Sequence, residues 1–262
     1  MKKTLTGGIM TAAALAAALL LLQAPADSQA PADGKDGGKA KAKGKARPTG
    51  PTPRLANGKP DLSGLWNGGG PVGDIAQGLV PGEQIVLTAW GDKTMKAHLS
   101  KDDPEANCLP TGVPRIAPYP WRVVQTPTHI FFLFEGNIHS FRQIFIDGRK
   151  HGADLNPTWY GDSIGSWDGD TMVVDTIGFN DKFWFDFVGH PHTEGLHTIE
   201  RYTRTDLGTL ENETTIIDPE TYAKPFKIKF IASLRQNEEL MEYICQENQR
   251  DTAHIIGPAG LP

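Results

Sequence analysis

The feature that most restricts this chain is a succession of short β-patterned segments, set apart by tight turns, in its C-terminal half. Phe226, Ile228, Phe230, Ala232 and Leu234 alternate with Lys227 and Lys229, the period-two pattern of a strand with one buried face. The same reading predicts strands over 123–124, 129–135, 138–146, 158–167, 171–177, 197–205, 210–217, 226–234 and 240–247. Gly136-Asn137, Asp147-Gly148, Asp168-Gly169 and Leu207-Gly208 supply the turns between them, since Gly and Asn tolerate the positive φ that short hairpins need. Upstream, Asp61 to Trp66 reads as a further short strand ended by Gly68-Gly69-Gly70. Thr88 can cap a helix over about 89–100 that stops before Asp103-Pro104, because proline disfavours helix in the residue before it. The predicted fold class is all-β: an antiparallel meander, closed or nearly closed into a barrel because closure removes exposed edges, with one short N-terminal helix.

The chain before this domain is of a different kind. Lys2 and Lys3 precede an apolar run over 9–22, and small residues follow in Ala24-Pro25-Ala26 and Ser28-Gln29-Ala30. This pattern predicts a signal peptide over 1–30, cut after Ala30 or after Ala26. The run falls short of the roughly 20 residues that span a bilayer, so no stable membrane insertion is expected after cleavage. Residues 31–60, rich in Gly, Lys, Ala and Pro, offer almost nothing apolar to bury and read as a basic, disordered tether. That leaves 61–262 as a single domain. The whole chain carries −5, whereas the segment from Asp61 onward holds 16 Lys and Arg against 28 Asp and Glu, a net of −12. Such acidity argues against a nucleic-acid partner, whose phosphates demand basic side chains. Cys108 and Cys245 are the two cysteines; in an oxidising compartment, periplasmic or extracellular, they read as a disulfide, with two buried thiols as the alternative.

Several segments together resemble a family of secreted bacterial proteins without an assigned activity. They include Cys108-Leu-Pro-Thr-Gly-Val-Pro114, the run from Arg142 to His151, the run from Pro157 to Thr171 with Val173-Val-Asp-Thr176, Gly178-Phe-Asn-Asp181, and His192-Thr-Glu-Gly-Leu-His197 with Glu200-Arg201. The resemblance implies an exported β-rich domain and supplies no reaction. Gly64-Leu65-Trp66 is similar to the Gly-x-Trp of the first lipocalin strand, which implies a lipocalin-like, cup-shaped barrel.

The densest chemistry lies in Gly189-His190-Pro191-His192-Thr193-Glu194-Gly195-Leu196-His197. His190, His192 and His197 are candidate ligands for Zn, Cu or Fe, although the carboxylate and downstream histidine of the cupin His-x-His pattern are missing; without a metal the same histidines serve as hydrogen-bonding or titrating groups. Asp175, Arg142 and the Glu200–Arg201 pair sit among apolar strand positions. A charge placed there must be paired or neutralised, so they are either internal salt bridges or the floor of a pocket. His151 follows a turn, where a ligand-facing side chain is common. The aromatics around Trp159 and Asn180-Asp181-Lys182-Phe183-Trp184-Phe185-Asp186-Phe187 are either core or a lid over an apolar ligand.

These residues lead to one expectation and two alternatives. The first is an exported barrel that binds a small, partly apolar or aromatic molecule. It would have no cofactor, would use His192, His197, Glu200, Asp175 and His151 for acid–base hydrolysis or elimination, and would hold its ligand with Arg142, Trp159, Trp184, Arg201 and Asn180. The second is a metal enzyme built on His190, His192 and His197. The third is a ligand-binding protein without turnover.

Overall fold

The computed structural model describes residues 47–116, 118–136 and 140–248. The signal peptide, the first part of the tether and Asn137 of the predicted Gly136-Asn137 turn lie outside the described residues. Nine strands form one closed barrel in chain order: β1 (Gly64–Gly68), β2 (Trp121–Gln125), β3 (His129–Phe134), β4 (Phe141–Phe145), β5 (Asp162–Asp168), β6 (Thr171–Ile177), β7 (His197–Arg204), β8 (Thr209–Ile217) and β9 (Phe226–Leu234). The β1 strand closes the ring by pairing with both β2 and β9, at Leu65↔Arg122 and Asn67↔Ser233.

Two departures from the predicted meander have physical reasons. The β4 and β5 strands run parallel, through Ile144↔Ser163 and Phe145↔Ile164; parallel neighbours need a crossover, and the long connection holding His151 supplies it. The segment predicted as a strand over 240–247 forms no strand. It ends in a short helix, α2 (Cys245–Asn248), because β1 and β9 already close the ring and leave no edge to pair. Cys245 on α2 lies at disulfide distance from Cys108, with Cα atoms 5.6 Å apart. Such a pair fits an oxidising, extracellular compartment. Among the described residues no helix is long and apolar enough to cross a membrane.

The second part of the predicted tether, 47–60, lies against the barrel unit. Arg54 bridges to Pro60 and pairs with Asp170, and the Thr52 hydroxyl donates to the Arg204 carbonyl.

The barrel interior is filled. Trp66, Trp121, Phe132, Ile144, Met172, Val174 and Tyr202 are buried inside it, each large apolar side chain contributing roughly 1.5–3 kcal/mol. The expected cup is therefore a packed core. A second cluster, with Ile75, Val113, Phe179, Phe183, Phe185 and Tyr222, joins the 197/217/226 end of the barrel to the loops that cap it.

The predicted helix is α1 (Ala89–Ala97), capped by the Thr88 hydroxyl, which accepts from the Gly91 amide. It docks on the β8–β9 connection: Thr88 donates through its amide to Thr221 O and through its hydroxyl to Glu220 O. Gly91 permits this approach, since a Cβ there would stand 2.5 Å from the Thr221 carbonyl oxygen.

Candidate functional site

A cleft of about 310 Å³ opens where α1 meets the capping loops, lined by Trp90, Thr94, His98, Asp181, Phe183 and Trp184 together with Pro191, His192, Thr193 and Glu220. Trp90, Thr94 and His98 are spaced by four residues, so a single face of α1 and its C-cap supplies one wall. The opposite wall is the loop of His190–Thr193. Two buried carboxylates hold that loop. Asp218 accepts from the Thr193 amide at 2.6 Å and hydroxyl at 3.0 Å, and Asp186 accepts from the amides of Ile75, Gly189 and His190. The Tyr222 hydroxyl donates to the Pro191 carbonyl at 2.8 Å.

His192 is buried at 3% exposure, packed against Phe183 with ring centroids 3.9 Å apart and stacked on Phe185. Burial pushes its pKa down to about 4, so the ring is neutral at pH 7. Its Nδ1 lies 3.0 Å from the Thr193 carbonyl oxygen. A carbonyl only accepts, so Nδ1 carries the proton and Nε2 presents a lone pair. Among the described residues that buried Nε2 has no hydrogen-bond partner of normal geometry, although the Phe183 backbone also acts on the ring to raise its pKa; an unpartnered buried polar atom is costly unless something else completes it. His98 repeats the arrangement. Its Nδ1–H donates to the Gly189 carbonyl at 2.9 Å, its ring stacks on Trp184 at 4.1 Å and 13°, and burial lowers its pKa.

The other predicted site residues fall in three separate places. Arg142 and Glu200 form an ion pair inside the barrel, with side chains 0% and 1% exposed. Arg142 also donates to Ser163 and Thr176, and Tyr202 donates to Glu200. These partners are all internal, and neither Arg142 nor Glu200 lines the cleft beside α1, so the pair is placed as an internal salt bridge. On the outer wall, His151, Asp175 and His197 do converge, joined by Asp162, which the sequence reading did not single out. His151 contacts Asp162 through Nδ1 at 2.8 Å and Asp175 through Nε2 at 3.1 Å, while His197 Nε2 contacts the same Asp175 oxygen at 2.9 Å. Arg201 pairs there with Asp168. In the cap, Trp159 packs against the second core cluster, and Asn180 is buried with its side-chain oxygen accepting from the Lys182 amide.

The predicted metal set is not assembled. His190 donates through Nδ1 to Asp186 at 2.6 Å, His192 lies in the cleft wall and His197 on the outer wall. Their side chains diverge because His190 and His192 belong to a loop folded around two different carboxylate anchors, not to an extended strand. Among the described residues, one group of three could hold an ion: Asp74, Asp186 and His190 have donor atoms within 4.8 Å of one another. Its carboxylates are already committed. Asp74 caps a 3₁₀ turn and Asp186 takes three backbone amides and His190. Burial pushes the Asp186 carboxyl up, and the hydrogen bonds it accepts from the His190 ring and from the Ile75 and His190 amides help to outweigh that and hold it below its ordinary range.

Of the aromatic loop predicted as core or lid, Phe183 and Phe185 are core, and Phe183 and Trp184 line the cleft. Phe187 instead packs under the Arg115 guanidinium at 4.4 Å. His98, Asp181 and Glu220 were not anticipated as site residues. The i, i+4, i+8 spacing of Trp90, Thr94 and His98 is the sequence signal that points to the first of them.

No protein family, curated protein or solved structure matches this chain.

Proposed function

We propose that this is an exported protein, periplasmic or secreted, whose cleft binds a small, partly apolar or aromatic molecule and whose His192 accepts a proton or hydrogen bond from it. The observation that carries the reading is His192, which lines a cleft of about 310 Å³ and whose buried Nε2 has no hydrogen-bond partner among the described residues. A ligand N–H or O–H reaching that atom would relieve an unsatisfied polar group, worth about 1–3 kcal/mol. Trp90, Phe183 and Trp184 line the same cleft and supply aromatic surface for the rest of the molecule. With Asp181 or Glu220 as a second proton carrier, hydrolysis or elimination is the suited reaction class. Glu200 and Asp175, the carboxylates that the sequence points to for that role, lie in the barrel interior and on the outer wall.

A second reading is binding without turnover. It is favoured by the backing of His192, which is a backbone carbonyl and not the carboxylate that orients a strong general base. Screening aromatic amides, esters and alcohols by thermal shift, followed by turnover assays of those that bind, tests both readings. Hits whose affinity falls in His192→Leu and Trp184→Ala support the cleft. Hits indifferent to both substitutions would defeat it, and hits that are bound and never converted would select the second reading.

A further inference from the structure

The charge and ring chemistry of the cleft narrow its ligand further, on the premise that the cleft is the ligand site. We propose that the ligand is an organic cation, a protonated amine or quaternary ammonium carried on a flat apolar body. Asp181 and Glu220 both line the cleft, and no Lys or Arg is among its lining residues. Lys182 follows Asp181 in the chain but does not line the wall. The two imidazoles contribute no opposing charge at pH 7, because burial lowers the pKa of both rings, and each directs its Nδ1–H to a backbone carbonyl. Trp90, 40% exposed, presents an electron-rich face of the kind that attracts organic cations over neutral isosteres, and Trp184 also lines the cleft. The domain as a whole adds a long-range field of the same sign, its net charge from Asp61 onward being −12. An anionic ligand would meet two carboxylates with no basic group to offset them.

Three indoles of nearly equal shape separate the alternatives: tryptamine as the cation, tryptophol as the neutral alcohol and indole-3-acetate as the anion. Their dissociation constants are measured by calorimetry at pH 7 in low salt and in 0.5 M salt. Tryptamine is expected to bind roughly tenfold more tightly than tryptophol in low salt, with indole-3-acetate weakest and the advantage shrinking as salt rises. Asp181→Asn with Glu220→Gln should bring tryptamine down to the tryptophol level while leaving tryptophol unchanged. Both positions are exposed, so an unchanged melting temperature is the control for folding. Equal binding of tryptamine and tryptophol, or preference for the acid, overturns the cationic assignment and leaves the cleft as a site for aromatic molecules. Failure of all three indoles to bind overturns the site reading itself.

Discussion

Replacing Glu200 with Gln should destabilise the protein severely without touching the cleft. Arg142 and Glu200 have side chains 0% and 1% exposed, and Arg142 also donates to Ser163 and Thr176 while Tyr202 donates to Glu200. Burial works against the Arg142 charge, and the adjoining carboxylate outweighs it, so the guanidinium stays ionised. Removing the carboxylate charge strands that cation in the barrel interior, which costs about 3–5 kcal/mol for a broken buried pair. Gln retains one acceptor oxygen for Arg142 or Tyr202, which places the expected loss near about 3 kcal/mol. Urea unfolding followed by tryptophan fluorescence measures it, with the slope expected to stay constant. Arg142→Met combined with Glu200→Leu should recover much of the loss, because an apolar pair leaves no uncompensated charge. A loss under about 1 kcal/mol for Glu200→Gln would refute the assignment of this pair as a desolvated internal salt bridge.

Other outcomes follow from the same structure. His192 has a folded pKa of about 4 against an ordinary value near 6.5, so its contribution is fully present above about pH 6.5 and is lost as pH falls toward 4. Wild type should therefore lose up to about 3 kcal/mol more than His192→Leu over that interval, read from urea midpoints at successive pH values; parallel pH curves would contradict this. Reducing the Cys108–Cys245 link, which closes a loop of 137 residues, should cost up to about 5 kcal/mol from the entropy regained by the unfolded chain, and an unaltered urea midpoint in reductant would show that the link carries no stability. Asp175→Asn on the half-exposed outer wall should cost no more than about 1 kcal/mol, with faster amide exchange in the loop around His151 as its main signature; a loss above 3 kcal/mol would mean that the cluster is a structural keystone.

The barrel strands were legible because their evidence is local. Alternation along β9, Asp168-Gly169 between β5 and β6, and Thr88 at the head of α1 each depend on a few adjacent residues. The parallel β4–β5 pair was not legible, since a crossover without a helix leaves no periodic mark in the connection. The failed strand over 240–247 is a global effect: its residues alternate acceptably, but the ring has no free edge for them. The same division holds at the site. The histidine-rich loop drew attention through composition, and Trp184 through the density of aromatics around it. Which histidine would face a cleft was decided by Asp186 and Asp218, whose amide contacts fold the loop. His151, Asp175 and His197 meet outside the barrel, apart from His192 and Glu200, because Asp175 alternates with the interior residues Val174 and Thr176. Glu200 is on the inward face of β7 and is therefore separated from His197 on the outward face of the same strand.

Nitrogen NMR of protein labelled at histidine tests the central claim most directly. In the free protein the His192 ring should show a protonated Nδ1 and an unprotonated Nε2 at pH 7, as its contact with the Thr193 carbonyl requires. On saturation with an indole ligand, the Nε2 resonance should move in the direction of a newly accepted hydrogen bond while Nδ1 stays nearly fixed. An Nε2 resonance that does not respond at saturation, or a free ring protonated on Nε2, would contradict the account.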